Sequence, residues 1–317
     1  MHVVTLGETM LRLSVGDGQS LEGAAAYQVD VAGAESSVAV DLARLEVPSG
    51  WVSRLPDNAL GHKVANELRR HGVDVSGVVW AASGERQGTF FVEFAPSPRG
   101  TEVIYDRAGS AFSRIQPDEV DWPYVRAARW LHLSGITPAL GPGPLATVGR
   151  AIEEALAAGL TISFDVNYRA KLWSPQQAAA GLAPFMEKAH LLACALRDAV
   201  TLFGVGEDAE QAVTALHTRF QPAITLLTLG DQGAIAFDGH LYRQPAPPVE
   251  TVDPLGTGDA FIAGFIAGYL EDSVQRGLAF GVGLAALKRT YRGDIVWCSR
   301  QELLATLDRA HHKSVRR

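Results

Sequence analysis

The chain has 317 residues, of which 47% are hydrophobic, 20% charged and 8% aromatic, a balance that excludes disordered, collagen-like and disulfide-built classes. A formal net charge of −7 leaves no general positive field to gather nucleic-acid phosphates or anionic lipid, so neither nucleic acid nor membrane is expected as a partner. The two cysteines, Cys194 and Cys298, lack metal-type spacing and are read as buried thiols in a reducing compartment.

The first residues, Met1-His-Val-Val-Thr-Leu-Gly7, form an apolar run without a basic leader or a small-residue cleavage pattern, so residence in the cytoplasm is expected. Short apolar runs then alternate with segments of helical period. Strands are predicted at residues 3–6, 50–53, 130–133, 161–165, 191–193, 224–228 and 233–237. Helices are predicted at 36–45, 59–71, 144–158, 175–188 and 208–219, with Gly72 and Gly159 closing two of them. This alternation is what parallel strands joined by crossover helices require.

Two stretches, 10–31 and 87–105, depart from it. They alternate apolar and polar residues around the turn signals Gly16-Asp-Gly18 and Pro96-Ser-Pro98-Arg-Gly100, and are read as hairpins. They are placed in a small β-sheet projecting from the core, able to cover a site; edge strands of the main sheet are the alternative. The apolar run 260–270 is shorter than the ~20 residues of a bilayer span. The basic end, 311–317, is read as a solvated tail.

The strongest chemical signal is Val252-Asp253-Pro-Leu-Gly256-Thr257-Gly258-Asp259-Ala-Phe, followed by an apolar helical run. Glycines at the mouth of a helix let backbone N–H groups converge on an anion, and the helix dipole adds to the attraction. A carboxylate in the first turn, Asp259, is then placed to take the proton of an attacking hydroxyl. Taken alone, the motif also fits an ordinary glycine turn with an acidic residue after it.

Asp253-x-x-Gly-x-Gly-Asp259 before an Ala/Gly-rich helix resembles the carboxy-terminal motif of the ribokinase-like (PfkB) carbohydrate kinases. Val31-Ala-Gly33-Ala-Glu-Ser-Ser37-Val-Ala39 resembles that family's early sugar-binding segment, and Asp165-Val-Asn167-Tyr-Arg169 its mid-chain strand end. The resemblance covers nearly the whole chain. With Leu131-His-Leu-Ser-Gly-Ile136, Leu172-Trp-Ser-Pro175 and Tyr105-Asp-Arg107-Ala-Gly-Ser110 added, it is greatest to 2-keto-3-deoxygluconate kinases.

The resemblance implies an α/β fold: a Rossmann-type sandwich with a mainly parallel central sheet flanked by helices, and a small β-sheet lid within a single unit spanning 1–317. It implies transfer of the γ-phosphoryl of ATP to the 6-hydroxyl of the sugar acid, with Mg2+ and an optional monovalent cation. In residues it implies Asp259 as base and Gly256, Thr257 and Gly258 as anion hole. Gly33, Ser37, Phe90, Tyr105, Arg107, Ile136 and Arg169 fall on the sugar side, with the two arginines on its carboxylate. Thr228, Gly230 and Gly233, with Gly256 and Gly258, fall on the nucleotide side, and the helix over 278–289 flanks the adenine. Asp198 and Asn167 hold the metal through water.

Several positions depart from the family pattern: Thr257 replaces Ala, Ser37 stands where Asn is common, Ala195-Leu-Arg-Asp198 stands for Asn/Ser-x-x-Glu, and Phe280 lies near where relatives often carry an adenine-side Asn. Fructose, 2-keto-3-deoxygalactonate or a ribose-like sugar remain alternative acceptors, and a catalytically decayed sugar- or nucleotide-binding homologue remains an alternative class. Exposed lid edges make a homo-oligomer the expected assembly.

Overall fold

The structure, a computed structural model, describes residues 2–82, 84–95 and 98–313. Pro96 and Ser97 of the second turn signal and 314–317 of the basic end lie outside the described residues. The strands in chain order are β1 (Val3–Leu6), β2 (Met10–Ser14), β3 (Gln28–Ala32), β4 (Ser49–Pro56), β5 (Val78–Ala81), β6 (Thr89–Glu93), β7 (Glu102–Asp106), β8 (Trp130–Ser134), β9 (Thr161–Asp165), β10 (Leu191–Ala195), β11 (Ile224–Thr228), β12 (Ala234–Phe237) and β13 (Leu241–Gln244). The helices are α1 (Ala34–Arg44), α2 (Ala59–Arg70), α3 (Trp122–Arg126), α4 (Pro142–Ala157), α5 (Pro175–Met186), α6 (Leu196–Phe203), α7 (Ala209–Phe220), α8 (Thr257–Glu271), α9 (Val274–Lys288) and α10 (Arg300–Lys313).

Nine strands form one sheet in the order β13-β12-β11-β10-β9-β8-β1-β4-β5, parallel except for β12 and β13 at one edge. Its central strands are apolar on both faces, as burial between two helical layers demands. Val4, Leu133, Phe164 and Leu192 pack against α4, α5, α6 and α7, while Val3, Trp130, Leu191 and Leu226 pack against α1, α8 and α9. Helix starts follow local chemistry: Asn58, Ser174, Asp208 and Ser273 each accept a hydrogen bond from the first turn they precede. The fold is therefore the α/β sandwich the sequence implies.

The two hairpins join in a separate four-stranded sheet, β3-β2-β6-β7, through a parallel β2–β6 pairing from Leu11 opposite Thr89 to Ser14 opposite Val92. They are not edge strands of the main sheet. Met10, Ala32, Phe90 and Val92 make a small apolar core on this sheet, with Leu255 of the glycine loop packed against it.

Two features position the site. The chain turns from one side of β1 to the other between β4 and β8, so the crevice at the carboxyl ends of β1 and β8 is the topological switch point where open α/β sheets hold ligands. Helices α8 and α9 approach until side chains no longer fit between them. A Cβ on Gly264 would lie 2.6 Å from the Phe280 carbonyl oxygen, and one on Gly281 would lie 2.8 Å from that of Phe261. That contact fixes the axis of α8 and hence the direction of its amino end. No described helix is long and apolar enough to cross a membrane.

Candidate active site

The loop before α8 turns at Gly256, whose φ of +78° is a left-handed conformation that glycine adopts without a Cβ penalty. Space makes the same demand, because a Cβ there would lie 2.4 Å from the Asp294 carbonyl oxygen. The Thr257 hydroxyl turns away and donates to the Pro254 carbonyl at 2.7 Å. The first regular bond into the helix runs from the Ala260 amide to the Gly256 carbonyl at 2.9 Å. The amides of Gly258 and Asp259 have no backbone acceptor among the described residues. Nothing lies within 4 Å of a Cβ placed on Gly258, so an anion can approach this helix end.

Asp259 stands in that first turn, half-buried. Loss of surrounding water pushes its carboxyl up to about 6; Asp294 and Glu35 add to the rise, while Arg169 and a 3.5 Å contact with the Asn167 amide oppose it. At neutral pH it is ionised yet close enough to its pKa to accept a proton, the condition for a general base.

The carboxyl ends of β8, β9 and β10 form the rim facing it, with Ser134 opposite Asp165 and Asp165 opposite Ala193 in register. Beyond β9 the chain bends at Asn167, with φ of +40°, a left-handed conformation in which asparagine is enriched. This turns its amide toward Asp259. Arg169 follows, its guanidinium donating only to the backbone carbonyls of Asn167 (3.4 Å) and Tyr168 (3.2 Å); among the described residues it has no ion-pair partner. Asp165 is pushed up to about 8 by burial and by the charges of Asp259 and Asp198, against the pull of Arg169. Asp198, in the first turn of α6, is also raised by burial, with Arg197 at 3.4 Å opposing.

At the switch point, Glu8 just beyond β1 receives Arg107 through Nε at 2.8 Å and Nη2 at 2.5 Å, together with the Ser110 hydroxyl. Arg107 thus has a partner within the protein, and only part of its fork remains for a ligand. Glu35, in the first turn of α1, accepts from the hydroxyls of Ser134 (2.7 Å) and Thr137 (2.8 Å), and burial raises its pKa. Ile136, between those two residues, is half-buried.

The remaining residues expected on the sugar side divide. Gly33 is extended, and the space its Cβ would take lies 2.3 Å from the Glu8 carbonyl oxygen, so protein packing already explains this glycine. Ser37 is 1% exposed, and its hydroxyl has no hydrogen-bond partner among the described residues. Phe90 is 4% exposed within the small sheet's core. Tyr105, its ring tilted by 32° to that of Phe90 at 5.7 Å, is exposed, with Arg107 and Lys171 each 5.8 Å from its ring.

Of the residues expected on the nucleotide side, Thr228 ends β11 opposite Ala195, and Gly230 and Gly233 bound a short 3₁₀ turn into β12. A Cβ on Gly233 would lie 2.0 Å from the Gln244 carbonyl oxygen, so this glycine also has a structural cause. Asp231 in the same turn pairs with Arg289 at 2.6 Å.

Among the described residues no three His, Cys, Asp or Glu side chains gather closely enough to ligate a metal directly. The charges of Asp259 and Asp198 nevertheless add to the burial that raises Asp165, so three carboxyls share one end of the sheet. This donor set fits a magnesium ion held through water and substrate phosphates rather than in a protein cage.

The family model for the pfkB family carbohydrate kinases matches residues 1–301. The chain belongs to that family. As a member it is a carbohydrate kinase, a phosphotransferase with an alcohol group as acceptor. It is 41% identical over 296 residues to the 2-dehydro-3-deoxygalactonokinase of Haloferax volcanii, covering 93% of this chain and 92% of that one. It is 32% identical to the 2-dehydro-3-deoxygluconokinase of Thermoproteus tenax, over 93% and 90% of the two chains. The crystal structure of 2-dehydro-3-deoxygluconokinase from Thermotoga maritima superposes with a TM-score of 0.90 at 32% identity, over 97% of this kinase and 98% of that chain.

Sequence reasoning gave no role to Glu8, Glu35, Asp165 or Arg12, although each is buried or lies on the rim of the kinase site. Glu8 carried a usable signal, being an acid directly after a glycine at the end of a buried strand. Glu35 and Asp165 lay inside the recognised motifs. Arg12 carried none, because its partners are 241 and 282 residues away.

Proposed function

We propose that this kinase transfers the γ-phosphoryl of ATP to the 6-hydroxyl of a 2-keto-3-deoxy sugar acid, read from its motifs as 2-keto-3-deoxygluconate. The observation that carries the reading is Asp259, an ionised carboxyl near its pKa beside unpaired helix-end amides. Asp259 takes the proton of the 6-hydroxyl as that oxygen bonds to the γ-phosphorus. The bond from phosphorus to the β–γ bridging oxygen breaks, leaving ADP, while the Gly256–Gly258 backbone stabilises the charge on the group in flight.

The acid acceptor is supported by Arg169, whose guanidinium has no carboxylate partner of its own, with the remaining fork of Arg107 beside it. Ser37 and Ile136 face the sugar in this reading, and Thr228, Gly230 and Gly233 border the nucleotide. Asp198 and Asn167, joined by Asp165, would hold magnesium through water, and the ion would supply charge neutralisation of the phosphates. The small sheet acts as a lid over the sugar, with Tyr105 as its exposed aromatic and Phe90 as its support, in one catalytic unit that assembles as a cytoplasmic homo-oligomer.

A second reading changes only the epimer. The 41% identity to a 2-dehydro-3-deoxygalactonokinase favours the galactonate as acceptor. ATP-dependent phosphorylation of both 2-keto-3-deoxy acids, fructose and ribose tests both readings at once. Phosphorylation of either acid in preference to the neutral sugars supports the class, and the ratio of the two kcat/KM values decides the epimer. A preference for fructose would remove the role given to the arginines.

A further inference from the structure

Behind the glycine loop lies a buried compartment of oxygens filled by the protein's own cations. Asp253 is wholly buried and accepts from Arg12 Nη2 at 2.6 Å and from the amides of Leu255 (2.9 Å) and Gly293 (3.0 Å). Its backbone carbonyl accepts from Lys288 Nζ at 3.1 Å, and the same ammonium donates to the Tyr291 carbonyl at 3.3 Å. Arg12 reaches Asp294 with Nη1 at 2.5 Å. Arg12 is 1% and Lys288 0% exposed. The Asp294 carbonyl is the group against which Gly256 turns, so the network braces the anion loop from behind.

Two basic side chains face two carboxylates here, and with ordinary charges the sum is zero; burial lowers Lys288 against the pull of Asp253, Asp294 and Asp41, and raises Asp294 against the pull of Arg12. Asp41 is a third buried carboxyl near Lys288; it accepts from the Val296 amide at 3.0 Å, and burial holds it well above the ordinary carboxylate range.

The family resemblance raises a monovalent cation as an option. Such an ion needs several inward-facing carbonyl or carboxylate oxygens that no other cation holds. Most oxygens of this compartment are already taken: the Asp253 carbonyl and the Tyr291 carbonyl by Lys288, and one oxygen each of the Asp253 and Asp294 carboxylates by Arg12; Asp41 Oδ2 alone is buried without a partner among the described residues. An added ion would have to share these oxygens with Arg12 and Lys288 and would set a third positive charge beside them, a costly arrangement. These residues do not fit the ion.

We propose that Lys288, supported by Arg12, is a built-in substitute for a monovalent cation, and that the kinase requires none. An ammonium on a four-carbon stem is a compact single charge with three donors, suited to sit between carbonyl oxygens as a bound ion would. Lys288 is thus a positioning residue: it holds the Asp253 and Tyr291 carbonyls and, through them, the turn at Gly256.

The test is thermal unfolding of the full chain, with ATP turnover measured separately, in potassium, sodium, caesium and tetramethylammonium chlorides at one ionic strength. The wild-type melting temperature is expected to agree across the salts within about 1 °C, and turnover within about twofold. Lys288→Ala opens a hole beside the two carbonyls. It is expected to melt earlier in tetramethylammonium and to regain part of the loss in potassium or methylammonium, a rescue the wild type does not show. A wild-type rise of about 3 °C or more in potassium over tetramethylammonium, or a severalfold activation by potassium, overturns the proposal. If Lys288→Ala does not fold, the wild-type salt series still decides. The activity arm rests on the kinase reading, but the melting arm needs no acceptor, so an error in the sugar assignment leaves it intact.

Discussion

Replacing Asp259 with Asn removes the proposed base while keeping the size of the side chain and its contact with Asn167. A positioned general base contributes about 10²- to 10⁴-fold, so kcat is expected to fall by about that factor with little change in the KM for ATP. Stability should move the other way. The folded carboxyl sits at about 6 against an ordinary 3.8, which corresponds to about 3 kcal/mol against folding at neutral pH. Because the group is only half-buried, solvent screening reduces this to about 1 kcal/mol, or about 1–2 °C in a chain of this length. A raised carboxyl favours the fold below pH 3.8 and loses that advantage as pH rises to about 6, so the gain in the variant should be present at pH 7 and vanish near pH 3. The assays are ADP release with the acid panel from pH 5 to 9 and melting curves on the same samples. Wild-type kcat should fall about tenfold per pH unit below about 6, and the variant should lack that limb. Undiminished turnover in Asp259→Asn, or a wild-type profile flat through pH 6, would refute the assignment.

Other substitutions separate the parts of the site. Gly256→Ala should destabilise by about 2 kcal/mol or more and abolish turnover, since it meets both a φ of +78° and the Asp294 backbone, whereas Gly258→Ala should fold normally and show its effect in the KM for ATP. Arg169→Met should raise the KM for the sugar acid about tenfold or more while leaving any neutral-sugar turnover nearly unchanged; an equal loss on both would take the carboxylate away from Arg169. Asp165→Asn should raise the melting temperature at pH 8 more than at pH 5, since the folded carboxyl at about 8 makes ionisation costly only as pH climbs toward that value, and it should weaken the dependence of rate on magnesium.

The legible parts of this fold were those with a local cause. The β1 and β11 strands are short, mostly apolar runs and β9, Thr161-Ile-Ser-Phe-Asp165, alternates polar and apolar residues, and all three have the limits read from the sequence. Two edge strands escaped notice: β5 has only four residues, and β13, Leu241-Tyr-Arg-Gln244, alternates exposed and half-buried positions as a surface loop would. Helix α6 was hidden because β10 runs directly into it at Ala195, with no intervening polar residues to mark the change of period. In the site, Asp259 and its glycines could be read because the chemistry is contiguous. The occupancy of Arg107 by Glu8 could not, because that pair spans 99 residues and depends on the two sheets meeting. Gly33 and Gly233 show the opposite hazard: both lie in motifs with a functional reading, yet both touch backbone that packing alone brings close.

The Arg12 bridge makes the small sheet and the glycine loop one mechanical piece. Strand β2 carries Arg12, and two stretches near the far end of the chain carry the carboxylates it holds. Anyone transplanting the hairpins of the small sheet from a relative would therefore be exchanging half of a clasp. A graft that omits the matching acids would strand a guanidinium in the interior, and the glycine loop would loosen although none of its own residues had been altered.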